Sequence, residues 1–220
     1  MKKFLIIALV ATLFWSCEKI DWNDGKEIAS LTCAPNEIIY KTQYDTPVKL
    51  CEDGNFGGAN LLSNTYENGV GRLTFDTDIK TIKGAFYGCK SLQYVILPEG
   101  LESLSYSSWT WKDGSYTHYE YDGAFEYCEN LVTIVLPSTL QGIRTDVFNG
   151  CDKLQFVYCK ATTPPSYSED CGLKYRYYDS DLEKYIDAYQ DCTIYVPREY
   201  VKQYRTTNHW YRHNIVEYDY

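Results

Sequence analysis

GAFYGCKSLQYVILPEGLESL runs from Gly84 to Leu104, GAFEYCENLVTIVLPSTLQGI from Gly123 to Ile143, and DVFNGCDKLQFVYCKATTPP begins at Asp146. The three stretches align without gaps over their shared cores. Phe86, Phe125 and Phe148 correspond, as do Cys89, Cys128 and Cys151, then Leu92, Leu131 and Leu154, then Val95, Ile134 and Val157. The second and third copies are offset by 23 residues and the first and second by 39, so 16 residues are inserted between the first pair. Self-similarity at such a period marks stacked turns, each unable to bury its apolar face alone and each covered by its neighbours. Within a copy, Val95 alternates with Leu97 and Ile134 with Leu136, a short β period closed by Pro98 or Pro137, which cannot donate to a ladder. LTFDTDIKTI (Leu73 to Ile82) and TIYVP (Thr193 to Pro197) read as half-copies at either end.

This pattern resembles the BspA-like, or Treponema-type, leucine-rich repeat family, whose signature is AF, two residues, C, then L, and a strand ending in LP. The resemblance covers roughly Leu73 to Asp219. Val147 stands in place of the usual Ala, and Cys159-Lys160 in place of Leu-Pro, in the third copy. The expected fold is a mainly β solenoid of about 23 residues per turn, with a β-hairpin cap at the N-terminal end and a helix-strand cap at the other. The hairpin is expected from NEIIY (Asn36 to Tyr40) and TPVKL (Thr46 to Leu50) around Asp45. At the other end Val201, Tyr204 and Trp210 have roughly helical spacing over Arg198 to His209, after Pro197, and Ile215 to Tyr218 reads as a closing strand.

The length of 220 residues and 45% hydrophobic content suffice for a packed core. A formal charge of −9 repels phosphate backbones, so nucleic acid is not an expected partner. Met1 to Ser16 carries two lysines and then an apolar run, Phe4 to Trp15, short for a membrane span but suited to a secretory leader. Ser16-Cys17 at its end resembles the lipobox of bacterial lipoproteins, which implies cleavage before Cys17 and lipidation of Cys17. Trp15 departs from the small residues that pattern prefers. The expected organisation is a leader over 1–16, a solvated lipidated tether over 17–30, and one repeat domain over 31–220 with insertions at 105–122 and 161–191. The address it implies is the outer membrane or cell surface of a Gram-negative bacterium, with the lipid as the one membrane contact.

Asp113-Gly114 in the first insertion is a two-residue hairpin signal. Pairing outward from it sets Trp111 opposite Tyr116 and Trp109 opposite His118, and puts these four on one face. That face either packs on the repeats or serves as an aromatic platform for a sugar ring or a protein. In the second insertion Leu182, Tyr185, Ile186 and Tyr189 have helical spacing, which predicts a short helix after Asp181.

The repeat cysteines read as small buried hydrophobes, since no histidine or carboxylate recurs in phase with them. Cys33, Cys51, Cys159, Cys171 and Cys192 fall outside that set; an exported chain can oxidise them, and Cys33 with Cys51 and Cys171 with Cys192 are the pairs expected, the connectivity staying open. His209 and His213 stand four apart without an evident third ligand, so no metal is expected. There is no Gly-rich phosphate loop, GxSxG, HExxH or paired CxxC, and neither enzymatic activity nor a cofactor is expected. Three functional readings follow: an adhesin-like surface protein with a protein or cell-surface ligand, as the family resemblance implies; a glycan-capture lipoprotein using the aromatic hairpin; and a structural envelope protein.

Overall fold

The computed structural model describes residues 20–23, 25–168, 171–179, 184–189, 191–207 and 209–220, with backbone alone at 111, 119, 174–179 and 184–189. A short helix α1 (Gly25–Ser30) precedes β1 (Glu37–Thr42), β2 (Leu61–Glu67), β3 (Val70–Phe75), β4 (Thr81–Lys83), β5 (Leu92–Ile96), β6 (Ser103–Asp113) and β7 (Tyr116–Gly123). Then come β8 (Thr133–Leu136), β9 (Gly142–Ile143), β10 (Phe156–Cys159), β11 (Ser166–Tyr167), β12 (Lys174–Asp179), β13 (Lys184–Tyr189), β14 (Thr193–Pro197), α2 (Val201–Tyr204) and β15 (Asn214–Tyr218). An eight-stranded sheet has the order β15-β14-β10-β8-β5-β1-β3-β2, and a second sheet the order β11-β9-β6-β4.

Each copy contributes one strand to each sheet, which makes this a repeat β fold. From β5 to β15 the larger sheet is parallel, and its register lines up Val95, Ile134, Val157, Ile194 and Ile215, all buried. In the second sheet Ile82, Leu104, Ile143 and Tyr167 form the matching row. The turn before each large-sheet strand closes the third side: Phe86 stacks on Phe125 at 4.9 Å and Phe125 on Phe148 at 6.0 Å, their planes within 13°. Here the backbone is paired from turn to turn, since Phe86, Phe125 and Phe148 donate their N–H groups to the carbonyls of Ala124, Val147 and Cys171. Cys171 therefore holds the place that Ala or Val holds in the copies before it, inside the repeat phase.

The repeat cysteines do more than fill space. Cys128 Sγ lies 3.1 Å from the Phe86 carbonyl and Cys151 Sγ 3.1 Å from that of Phe125, so each thiol donates to the turn beneath. Burial drives the Cys128 and Cys151 thiols far above their ordinary range and Cys89 up to about 12, so all three stay protonated donors. The eight described cysteines are all thiols, and neither expected disulfide forms. Cys33 is buried on the outer side of the large sheet, its Sγ 3.5 Å from the Ile96 carbonyl, whereas Cys51 donates its N–H to Ala85 on the inner turn. Cys171 is fixed by the turn-to-turn ladder and Cys192 by the entry to β14.

The N-terminal end departs from expectation. β1 is intercalated antiparallel between β3 and β5, and TPVKL forms no strand beside it. Both edges of β1 are already paired. The polar groups of Thr46 to Val48 are met by side chains instead: Val48 donates its N–H to Tyr40 Oη (3.1 Å), Asn64 Nδ2 donates to the Val48 carbonyl (2.8 Å), and Thr42 Oγ1 donates to the Thr46 carbonyl (2.7 Å). The N-terminal hairpin is β2–β3, turned at Asn68-Gly69 with both residues at positive φ.

Residues 20–30 are not a solvated tether over their described part. Ile20, Trp22, Ile28 and Ala29, with Leu31 and Cys33, pack on the outer face of the large sheet against Ile39, Ile96, Val135 and Tyr158. Trp22 donates its indole N–H to the Gly69 carbonyl (3.2 Å), and Lys160 Nζ donates to the Leu31 carbonyl (2.8 Å). That contact gives a physical reason for Lys160 in place of the repeat proline: a proline has no donor with which to hold this strap.

In the second insertion the expected helix is a strand. β13 pairs antiparallel with β12, from Lys174 opposite Tyr189 to Asp179 opposite Lys184; Leu182 lies outside the described residues. Tyr and Ile favour a paired strand as readily as the i, i+3 spacing favours a helix. At the C-terminal end the helical stretch is shorter than expected. A 3₁₀ turn at Arg198–Tyr200 runs into α2, and Trp210 opens a second 3₁₀ turn. Tyr204 donates to the Ala161 carbonyl (2.8 Å) and Trp210 to that of Pro165 (2.7 Å), so both rings are pinned to the chain leaving the last copy, and β15 closes the sheet in parallel with β14.

Candidate functional site

The repeat positions are interior. Phe86, Cys89, Leu92, Phe125, Cys128, Leu131, Phe148, Cys151 and Leu154 are all buried and present no surface to a ligand. What leaves the stack is the hairpin of β6 and β7. At its base Ser103 and Leu104 pair with both β4 and β9, but from Tyr106 outward β6 pairs with β7 alone. A two-stranded ribbon so extended keeps most of its side chains in water, and Trp109 (45% exposed), Tyr116 (77%) and Tyr121 (46%) are among the most exposed large side chains described.

The register differs from the expected one by a single step along each strand. Asp113 pairs with Tyr116, Trp111 with His118 and Trp109 with Glu120, so the loop is Gly114-Ser115. Gly114, at φ 58°, takes the first central position, and Ser115 is not among the positive-φ residues. An Asp-Gly loop of the I′ kind needs positive φ at two residues, whereas this II′-like loop needs it at the glycine alone. The slip moves each residue's partner by two positions and leaves it on its face. Positions 109, 111, 116 and 118 therefore share one face; the side chain of Trp111, like Cys17, lies outside what is described.

The hairpin base is acidic and dry. The Trp109 side chain lies beside the Asp122 carboxylate and pulls its pKa down, while about half of that side chain stays open. Asp122 is buried, and desolvation raises its carboxyl above the ordinary range against the pull of Trp109. Glu126 accepts from the Gly123 N–H (2.9 Å) and from Asn149 Nδ2 (2.9 Å), and burial raises its pKa too. Ser107 Oγ is buried beside them without a partner among the described residues. On the reverse face Tyr106 and Tyr121 meet edge to face at 4.9 Å.

His209 and His213 do not converge on a metal site. Both rings pack around Tyr167, whose hydroxyl lies 3.0 Å from His213 Nε2, and among the described residues no group of three His, Cys, Asp or Glu could hold an ion.

A second aromatic surface is not apparent from the repeat pattern. The outward positions of the large-sheet strands include Tyr94 on β5, Phe156 and Tyr158 on β10 and Tyr195 on β14, with Tyr158 and Tyr195 stacked at 4.7 Å. The sequence does carry a signal for it: the positions alternating with Val95, Val157 and Ile194 are aromatic where a solvated face would be polar.

Residues 63–164 match the model for the BspA type leucine rich repeat region, in six copies, beginning ahead of the first half-copy recognised at Leu73. No curated protein matches the chain. With the matched copies stacked turn on turn, strand on strand and phenylalanine on phenylalanine, residues 63–164 are a BspA-type leucine-rich repeat region.

Proposed function

We propose that the protein is a non-enzymatic, adhesin-like surface protein that binds a protein or cell-surface ligand through the β6–β7 hairpin. In this reading residues 1–16 are a leader, Cys17 carries the lipid that holds the chain to the outer membrane, and the stack is an open solenoid closed by β2–β3 at one end and by α2 and β15 at the other. The observation that carries it is the projection of the hairpin beyond the second sheet, with Trp109, Tyr116 and Tyr121 in water. Exposed aromatic rings in this number are recognition surface more often than accident, because they bring large contact area at small conformational cost.

A glycan is the second ligand class, favoured by one detail: the Trp109 side chain sits against the Asp122 carboxylate while about half of it stays open, as a stacking platform needs. A panel of matrix proteins and a glycan array, probed with the full-length protein and with Trp109→Ala/Tyr116→Ala, tests both. The expected outcome is a ligand whose binding falls at least tenfold in the double variant while the melting midpoint holds. Equal binding by the variant overturns the hairpin as the site. Fatty-acid labelling that is lost in Cys17→Ala checks the anchor separately.

A further inference from the structure

A groove of about 390 Å³ lies between the strap and the outer face of the large sheet, within the range of about 300–1,000 Å³ common to small-ligand sites. Three features of its lining narrow the occupant. Aromatic rings wall it: Tyr94, Phe156 and Tyr195 from the sheet, and Trp22 from the strap, packed 5.3 Å from Tyr94. Trp22 has its N–H already bound to Gly69, so it acts as wall and not as donor. Among the described residues no charged side chain lines the groove.

The polar groups are the second feature. Thr133 lies in register between Tyr94 and Phe156 on the outward row, and it is 2% exposed. Its hydroxyl forms no hydrogen bond among the described residues, and neither do the side-chain amides of Asn23 and Gln155 on the same lining. The hydroxyl is not among the fully buried unpartnered atoms, so it opens onto the groove, where water or a ligand can meet it.

The third feature is the sheet beneath. β8 and β10 are paired on both sides, so an extended peptide finds no strand edge there to add to. Among the described residues the lining offers a charged ligand no counter-charge, Lys41 lying over the Tyr94 ring at 5.7 Å without lining the groove, and a purely apolar ligand leaves the hydroxyl and both amides unmet. A neutral sugar satisfies all of these, because its ring faces present C–H groups to aromatic rings and its rim presents hydroxyls that both donate and accept.

We infer that this groove is a binding site for a neutral oligosaccharide, its pyranose rings stacked along Tyr94, Phe156 and Tyr195 and hydrogen-bonded by Thr133, Gln155 and Asn23. The site is separate from the hairpin and does not rest on it. The test titrates the full-length protein with maltotriose, cellotriose, chitotriose and mannotriose at up to millimolar concentration, followed by calorimetry and tryptophan fluorescence. At least one is expected to bind, and Thr133→Val, which keeps the shape and removes the hydroxyl, is expected to weaken it about tenfold, near 1.4 kcal/mol. Gln155→Leu, at an exposed position that does not threaten folding, is expected to act in the same direction. Failure of all four sugars to bind overturns the inference, as does equal affinity in the Thr133 and Gln155 variants. Preferential binding of an acidic sugar or of a peptide at the same residues overturns it as well.

Discussion

β1 and the β6–β7 hairpin both interrupt the stack of turns, and they end in opposite environments. β1 slides between β3 and β5 and takes a ladder on each edge, whereas β6–β7 leaves its sheet after Ser105 and pairs only with itself. The difference lies in which faces are apolar. In EIIYKT, Ile38 and Tyr40 reach the inner core and Ile39 the outer cluster under the strap, so both faces of the strand are dry. SYSSWTWKDGSYTHYEYD alternates its aromatics with Ser, Thr, Lys, Glu and Asp, and no described element covers the hairpin beyond its base. An insertion is absorbed when it brings two apolar faces and finds two open edges. It projects when it brings neither.

The largest expected effect tests that contrast directly. Tyr40→Ala removes a fully buried ring and leaves the Val48 N–H and the Asn64 side chain without their partner, so a loss of about 3–5 kcal/mol is expected in a reversible urea melt. Trp109→Ala gives up a ring that is about half exposed, and about 1 kcal/mol or less is expected. Equal losses would mean that the hairpin is packed and the comparison is wrong.

Two glycines sharpen it at smaller scale. At Gly71, opposite Tyr40 on β3, an added Cβ falls 2.1 Å from Tyr40 Cε2, so Gly71→Ala overpacks the core and is expected to lower global stability by about 1–3 kcal/mol. At Gly114 there is open space but φ is 58°, so Gly114→Ala strains the loop by about 1–2 kcal/mol and nothing else. Hydrogen exchange should therefore speed up over Tyr106 to Gly123 while the global midpoint stays put. A global shift as large as that of Gly71→Ala would show the hairpin to be part of the cooperative core.

The repeat is legible in the sequence because its period is enforced many times over: each Phe must meet the next Phe, and each inward Val or Ile the next. What happens once is harder to read. EIIYK and TPVKL alternate equally well, and nothing local says that β1 has both edges taken, so the pairing that looks nearest in sequence loses to the one made in space. Ile20, Trp22 and Ile28 stand among Asp, Glu and Lys, and the flanking charge suggests water where the outward aromatics of the large sheet provide a dry face. The hairpin face is legible because parity survives a slip of the loop, but the loop itself is not, since Asp113-Gly114 and Gly114-Ser115 both satisfy turn chemistry. The thiol donors are invisible at sequence level because burial alone already accounts for a recurring cysteine.

The smallest expected effect concerns the two carboxylates nearest the two insertions, and here the signs oppose. Glu37, on β1, pairs with Arg72 at 3.0 Å in a partly exposed bridge, so Glu37→Gln is expected to lower stability by about 0–1 kcal/mol at pH 7. Glu126, where the hairpin rejoins the stack, is buried, and burial raises its pKa against two hydrogen bonds that pull it down, with Asp146 and Asp122 adding repulsion. A carboxyl group with a folded pKa above its unfolded one binds its proton more tightly when folded, so the protein gains stability as pH falls through that raised value. The ionised form at pH 7 is thus the disfavoured one. Glu126→Gln keeps an oxygen for the Gly123 N–H and, with its amide turned, a donor for the Asn149 side-chain oxygen, so its urea midpoint at pH 7 should lie above that of the parent chain. The gap should close on acidification towards the ordinary glutamate range of about 4.3, where the parent carboxyl is itself neutral. A variant less stable than its parent at pH 7 would show that the Gly123 and Asn149 hydrogen bonds outweigh the burial of the charge, and that the hairpin is held to the stack by its carboxylate as firmly as β1 is held by its bridge.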